Sequence, residues 1–207
     1  MPLASLGHAP RLAVVKTPKW SLASEAQRAN FTEAVATLKD AGALVREVPL
    51  PRAFQEAWSV VQGIMDYDAA RAFASLESRH RLQMSHVLTE LLDRGKRISP
   101  EAHARNLVRR DEYRRWLDGL YDGCDAIVTI PAAGEAPEGL ANTGDAVFCS
   151  LWSLAGLPAV TMPSGRGPRG MPLGLQVVGR YREDERALQV AAWCEGVLGV
   201  QMGIAQG

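Results

Sequence analysis

Cysteine is scarce: Cys124, Cys149 and Cys194 are the three in 207 residues. Odd in number, far apart and in apolar settings, they exclude a disulfide framework and suit reduced, packed thiols. Lysine is scarcer for its class, with Lys16, Lys19, Lys39 and Lys96 set against nineteen arginines. The 23 basic residues balance 23 acidic ones, so there is no electrostatic reason to expect a nucleic-acid partner or an anionic membrane. No stretch approaches the ~18 apolar residues of a membrane span. The opening MPLASLGHAPR has neither the basic start nor the apolar run of a signal peptide, and the expected location is cytoplasmic. His8, His80, His86 and His103 form no HExxH, and the spacing of His80 and His86 does not put both on one helix face. No metal is expected.

Apolar residues are plentiful, at 47% of the chain, enough at this length to bury a core as one domain. The most organised stretch runs from Gly144 to Gly179, GDAVFCSLWSLAGLPAVTMPSGRGPRGMPLGLQVVG. Phe148, Leu151, Trp152 and Ala155 recur at helical spacing, and Gly156 follows where a left-handed C-cap is wanted. Leu157 to Met162 reads as a buried strand entered through a proline, and Leu173 to Val178 as a second strand rich in branched residues. Gly165 to Gly170 formally matches GxGxxG. A dinucleotide fingerprint needs a helix directly after its glycines, whereas Met171-Pro172 and a strand follow here, and Pro168 removes one amide donor. The segment is expected to be a connector.

Around that stretch, residues 1–10 read as a loose lead-in. Leu12 to Val15 is a short strand; Ser24 caps a helix whose Phe31, Val35 and Leu38 share a face; Ala41-Gly42 ends it; Leu44 to Val48 is a second strand, parallel to the first. The turn after the first strand, Thr17-Pro18-Lys19, has no glycine-rich phosphate cradle. Phe54 to Tyr121 is helical, with breaks expected near Ser78-Arg79 and at Asp93-Arg94-Gly95 and a strong start at Ser99-Pro100-Glu101. Arg105, Arg109, Arg110, Arg114 and Arg115 follow. Glu101 and Asp111 stand four residues before arginines, so this stripe is expected to be a solvated face. Asp125 to Ile130 is a strand stopped by Pro131. After Gly179, Glu183 and Asp184 open a helix whose buried stripe is Ala187, Leu188, Ala191, Cys194 and Leu198. The sum is an α/β domain over 11–199, a mixed sheet of at least five short strands flanked by helices, with a tail over 200–207.

These segments carry a resemblance. The run SLAGLPAVTMPSG, then GMPLGLQVVG, then an acidic helix rich in Leu and Ala, with CDAIVTIPAA upstream, resembles the closing segment of the amidase signature family. The resemblance implies the C-terminal half of that family's fold, amide hydrolysis as the activity, and no cofactor. Members use a serine nucleophile, a second serine in a cis peptide and a lysine, with an oxyanion held by amides of a glycine-rich stretch. All of these precede the matched region. No lysine here falls in a segment resembling the catalytic lysine's, and no Gly-Gly-Ser-Ser-Gly-Gly-like run is present, so no catalytic residue is carried over. Read without the family, Ser150, Ser153 and Ser164 have no local base signature, and there is no GxSxG.

What the resemblance does assign is a substrate-pocket wall within Asn142 to Trp152, on Asn142, Thr143, Asp145, Phe148 and Trp152. Asp145 would orient a polar or cationic group, and Phe148 and Trp152 would supply an apolar surface. The residues alone leave a second reading open, with Asp145 a helix-start carboxylate and both aromatics in the core. Two functions follow. One is the C-terminal half of an amidase, inactive alone and acting on a small amide once an N-terminal half completes it. The other is a non-catalytic binding or assembly module that keeps the half-fold. If the missing half covers one sheet face, the chain alone is expected to expose an apolar patch of several hundred Å² and to associate with itself or a partner chain, whereas a self-contained module is expected to be monodisperse.

Overall fold

A computed structural model describes residues 4–200; residues 1–3 of the expected lead-in and 201–207 of the expected tail lie outside the described residues. The apolar run near the start forms β1 (Arg11–Val14), and the Ser24 hydroxyl accepts from the Gln27 amide to begin α1 (Glu25–Asp40). Gly42, at φ 101°, turns the chain into β2 (Leu44–Glu47), parallel to β1. The helical block then divides into α2 (Ala57–Ala72), α3 (Ala74–His80), α4 (His86–Lys96) and α5 (Pro100–Asp118). Its breaks fall at Phe73, across Arg81 to Ser85, where Ser85 caps α4, and across Arg97 to Ser99, where Ser99 caps α5. Asp93-Arg94-Gly95 is not a break but lies inside α4, because Gly95 there serves packing rather than a turn. β3 (Ala126–Thr129) leads through a long loop to α6 (Ser150–Ala155), which Gly156 ends at φ 69° and ψ 29° in the expected left-handed cap. β4 (Ala159–Arg166), β5 (Pro172–Val178) and α7 (Asp184–Leu198) complete the described chain.

The strands make one sheet in the order β2-β1-β3-β5-β4. β1 is parallel to β2 and β3, while β5 runs antiparallel to β3 and β4, so the sheet is mixed. Side chains alternate across it. Leu12, Val14, Ala126 and Val128 face α1 and α7; Ala13, Val15 and Ile127 face α2, α5 and α6. Helices on both faces explain why β3 is apolar at every position but its last. The GxGxxG connector is narrower than its sequence suggests. Gly165 and Arg166 continue β4, and only Gly167 to Gly170 turn, closed by the Gly170 amide donating to Gly167 O and the Gly167 amide to Met171 O.

The arginine stripe of α5 is not uniformly solvated. Arg109 pairs with Glu112 and Glu56, and Arg110 with Asp111, at the surface. Arg114 instead donates to the Ala155 carbonyl at 2.6 Å and stacks on Tyr181, tying α5 to the C-terminal end of α6.

Asp125 locks three elements together. Its nearly buried carboxylate accepts from the Arg11 amide at 2.7 Å and from the Arg11 and Arg186 guanidinium groups, joining β1, β3 and α7. Burial works to raise its pKa, but the hydrogen bonds from Arg11 and Arg186 outweigh it and hold the group near about 2. A carboxylate depressed on folding adds stability above its unfolded pKa of about 3.9 and loses it as pH falls toward 2. Asp125→Asn should therefore cost about 1–2 kcal/mol at neutral pH, discounted for the partly exposed arginines. Urea midpoints measured from pH 7 to 2.5 should converge with those of the parent at the acid end.

Candidate functional site

The chain leaves β1 to one side for β2 and later returns on the other side to β3, so the strand order reverses between β1 and β3. In open α/β sheets a ligand crevice forms beyond the carboxyl ends of the strands at such a reversal. Here those ends deliver Thr17-Pro18-Lys19 after β1 and Thr129-Ile130-Pro131 at and after β3. A cavity of ≈ 20 Å³ lies against Thr17, Lys19, Phe54, Trp58, Val147 and Leu151, room for about one water molecule.

Polar groups sit unpaired at this end of the sheet. Thr129 on β3 stands opposite Gln176 on β5. Both are buried, both on the face that packs against α6,. The Gln176 side-chain amide lies 3.6 Å from Cys149 Sγ, and the Cys149 thiol donates to Pro131 O at 3.2 Å. Yet Thr129 Oγ1, Gln176 Oε1, Trp152 Nε1 and Thr17 Oγ1 are buried without a hydrogen-bond partner among the described residues. Native interiors leave few polar atoms in that state, and ordered water is the usual partner of such groups. Sequence reasoning missed Thr129 and Gln176. Their signal was a polar residue at the inward position of an otherwise apolar strand, AIVT and LGLQVV.

The expected wall residues do not form one surface. Asn142, Thr143 and Asp145 are exposed. Asn142 Oδ1 accepts from the Gly144 amide at 2.8 Å, and Asp145 Oδ1 accepts from the Val147 amide at 2.9 Å, capping a single 3-10 turn over Ala146–Phe148. Phe148 and Trp152 are fully buried. They also diverge: Phe148, in the turn before α6 begins, packs toward α1 and α7, whereas Trp152 and Ala155 pack toward α2 and α5. The helical spacing that suggested a shared face spans a change of helix type, and the tighter turn sends Phe148 the other way.

The sequence model of the family described as Amidase matches residues 3–188. The chain belongs to the amidase family. Among relatives, a glutamyl-tRNA(Gln) amidotransferase subunit from Nitrobacter hamburgensis is 27% identical over 201 residues, covering 82% of this chain and 41% of the relative. The corresponding amidotransferase subunit from Mesorhizobium japonicum is 36% identical over 105 residues, 46% of this chain and 19% of the relative. A solved amidase superposes with TM-score 0.83 at 25% identity, covering 94% of this chain and 47% of the solved one. This amidase-family chain thus spans about half the length of the proteins it matches, and the mixed α/β sheet is theirs.

Of the candidate nucleophiles in this amidase-family chain, Ser150 and Ser164 are hydrogen-bonded through their hydroxyls, Cys124 and Cys194 are buried, and Ser153 is exposed. Ser150 Oγ donates to Ala146 O, and Ser164 Oγ accepts from Asn30. Cys124 and Cys194 are buried, and burial pushes both thiols up, Cys194 to about 12, which suppresses the thiolate,. Cys149 is half-buried and donates its proton to Pro131 O.

Proposed function

We propose that these 207 residues supply the sheet, the core and one pocket wall of an amide hydrolase, as the C-terminal half of the family fold, while the nucleophile, its serine partner and the lysine lie outside them. The observation that carries this reading is the coverage: nearly all of this chain superposes on less than half of a solved amidase. The lack of an acidic partner or base beside Ser150, Ser164 and Cys149 among the described residues supports it, because an acyl-transfer barrier falls only when nucleophile, base and oxyanion donors converge,.

The wall in this reading is the exposed segment Asn142, Thr143 and Asp145, in the loop that runs from β3 to α6. Phe148 and Trp152 are its apolar backing, filling opposite faces of the sheet beneath it. Asp145 keeps one carboxylate oxygen free of hydrogen bonds among the described residues, a group suited to an amine or amide N–H of a small substrate,. The relatives carry the names of amidotransferase subunits, and a partner chain that completes the pocket fits that organisation.

The chain alone should hydrolyse anilides and primary amides at background rates and take no label from a serine-reactive fluorophosphonate. Adding a separately produced N-terminal half of the Nitrobacter hamburgensis relative should bring turnover, with the label on the added half. Asp145→Asn should then change the preference among amide substrates and leave labelling intact. Turnover by the 207 residues alone, lost on changing one serine here to alanine, would defeat the reading.

A further inference from the structure

The three thiols are not equivalent. Cys124 and Cys194 are 3% and 0% exposed, each closed in by the core. Cys149 alone of the three keeps part of its surface, where the 3-10 turn Ala146–Phe148 passes into α6. Its sulfur meets main chain and amide rather than acid or base: the thiol donates to Pro131 O at 3.2 Å, and the Gln176 side-chain nitrogen stands 3.6 Å away. The other end of that amide, Gln176 Oε1, has no hydrogen-bond partner among the described residues. Thr129 faces Gln176 across the ladder between β3 and β5, so the two side chains stand side by side, and the Thr129 hydroxyl is unpartnered as well,. With Thr129 at 0% and Gln176 at 3% exposure, bulk solvent reaches neither. What the pair lacks is one small group that accepts from a hydroxyl and donates to an amide oxygen, which is a hydroxyl. A thiol is weak in both roles.

We propose that Cys149 is a site of oxidation by hydrogen peroxide, and that Thr129 and Gln176 hold the sulfenic acid it forms. The sulfur attacks one peroxide oxygen: an S–O bond forms and the O–O bond breaks. Sulfur is oxidised by two electrons, the peroxide is reduced, and the thiol proton leaves with the departing hydroxide as water. The new Sγ–OH keeps the hydrogen of the oxygen that sulfur attacked. Its oxygen accepts from Thr129 Oγ1 and its proton goes to Gln176 Oε1, the bonds that ordered water otherwise makes with such groups. Holding that proton on Gln176 keeps the sulfenic acid neutral and slows its further oxidation to sulfinic acid. The site is made of this chain's own residues and stands whether or not a second half completes an amidase.

The test uses the chain as it is. Hydrogen peroxide is added together with dimedone, which captures sulfenic acids, and each cysteine peptide is quantified by mass spectrometry. In the folded chain Cys149 should carry about tenfold more dimedone than Cys124 or Cys194, and in concentrated urea the three should label alike. Thr129→Val and Gln176→Leu each delete an unpartnered polar atom, keep an apolar side chain of similar size and leave the thiol in place. With dimedone added only after the peroxide is spent, each should lower the ratio of sulfenic to sulfinic acid at Cys149 about tenfold. Thr129→Ser keeps the hydroxyl and should match the parent. Equal labelling of the three cysteines in the folded chain, or passage of Cys149 to sulfinic acid with no sulfenic acid captured, overturns the site. An unchanged ratio in both Thr129→Val and Gln176→Leu overturns it too, since the thiol would then be exposed but unaided. The labelling pattern of the unaltered chain decides the matter if either variant fails to fold.

Discussion

Trp152→Ala lowers the unfolding free energy of this chain by about 3–5 kcal/mol, the range for a large aromatic removed from a core that cannot collapse around the gap. The site should not collapse, because Trp152 is fully buried between the sheet and the helices of its α2 and α5 face, with Leu151, Leu154 and Ala155 fixed beside it on α6. Trp152→Phe separates two contributions. It keeps most of the apolar contact and removes an indole N–H that has no partner among the described residues, so it should cost under about half as much as alanine. Chemical denaturation of the three proteins under one condition checks both. A loss below about 1 kcal/mol for Trp152→Ala would mean that the ring is not held in a core at all.

That expectation was half legible in the sequence. Helical spacing placed Trp152 correctly with Ala155, and Gly156 in its left-handed cap ended the helix as expected. The same spacing misplaced Phe148, since periodicity cannot register a switch from 3-10 to α-helix geometry between Phe148 and Ser150. The strand-helix-strand opening was readable because its apolar runs, Ser24 cap and Gly42 stop are local signals. β4 was read short because Gly165 and Arg166 look like turn residues, and their strand pairing with Leu173 and Pro172 is a property of the partner. The site was least legible. Thr129, Gln176 and Cys149 meet only because β3, β5 and the start of α6 converge, and nothing in 27 residues of sequence separation announces the contact between Cys149 and Gln176.

Gly95→Ala should be the second large effect, and it runs against helix propensity. Alanine in place of glycine inside a helix normally adds about 0.5–1 kcal/mol. At Gly95 the added methyl would fall far inside contact with the Asp66 carbonyl and lie 2.8 Å from Ala70 Cβ, both on α2. Backbone cannot yield as a side-chain tip can, so α4 must lift from α2. That movement also strains the bidentate contact of Arg94 with the buried Asp66 carboxylate, which Gln62 shares. Overpacking together with a weakened buried ion pair should cost about 3 kcal/mol or more. Gly196→Ala is the matched control, because nothing lies within 4 Å of its added methyl in α7. The control should gain stability by up to about 1 kcal/mol, and thermal melts of the pair should move in opposite directions.

The position of β1 between β2 and β3 has a consequence for how the chain is made. Its partner β2 follows after one helix, but β3 arrives much later: Asp125 and the Arg11 it grips are 114 residues apart. At ribosomal speeds of ~5–20 residues per second, that interval lasts on the order of ten seconds. Through it, the nascent β1-α1-β2 unit shows an unpaired parallel edge made of the apolar Leu12, Ala13 and Val14. The helices α2 to α5 emerge during the same interval and are built on local contacts that form fast. Early packing of α2 and α5 over Ala13 and Val15 would cover one face of that strand until the strand meant for its edge leaves the ribosome.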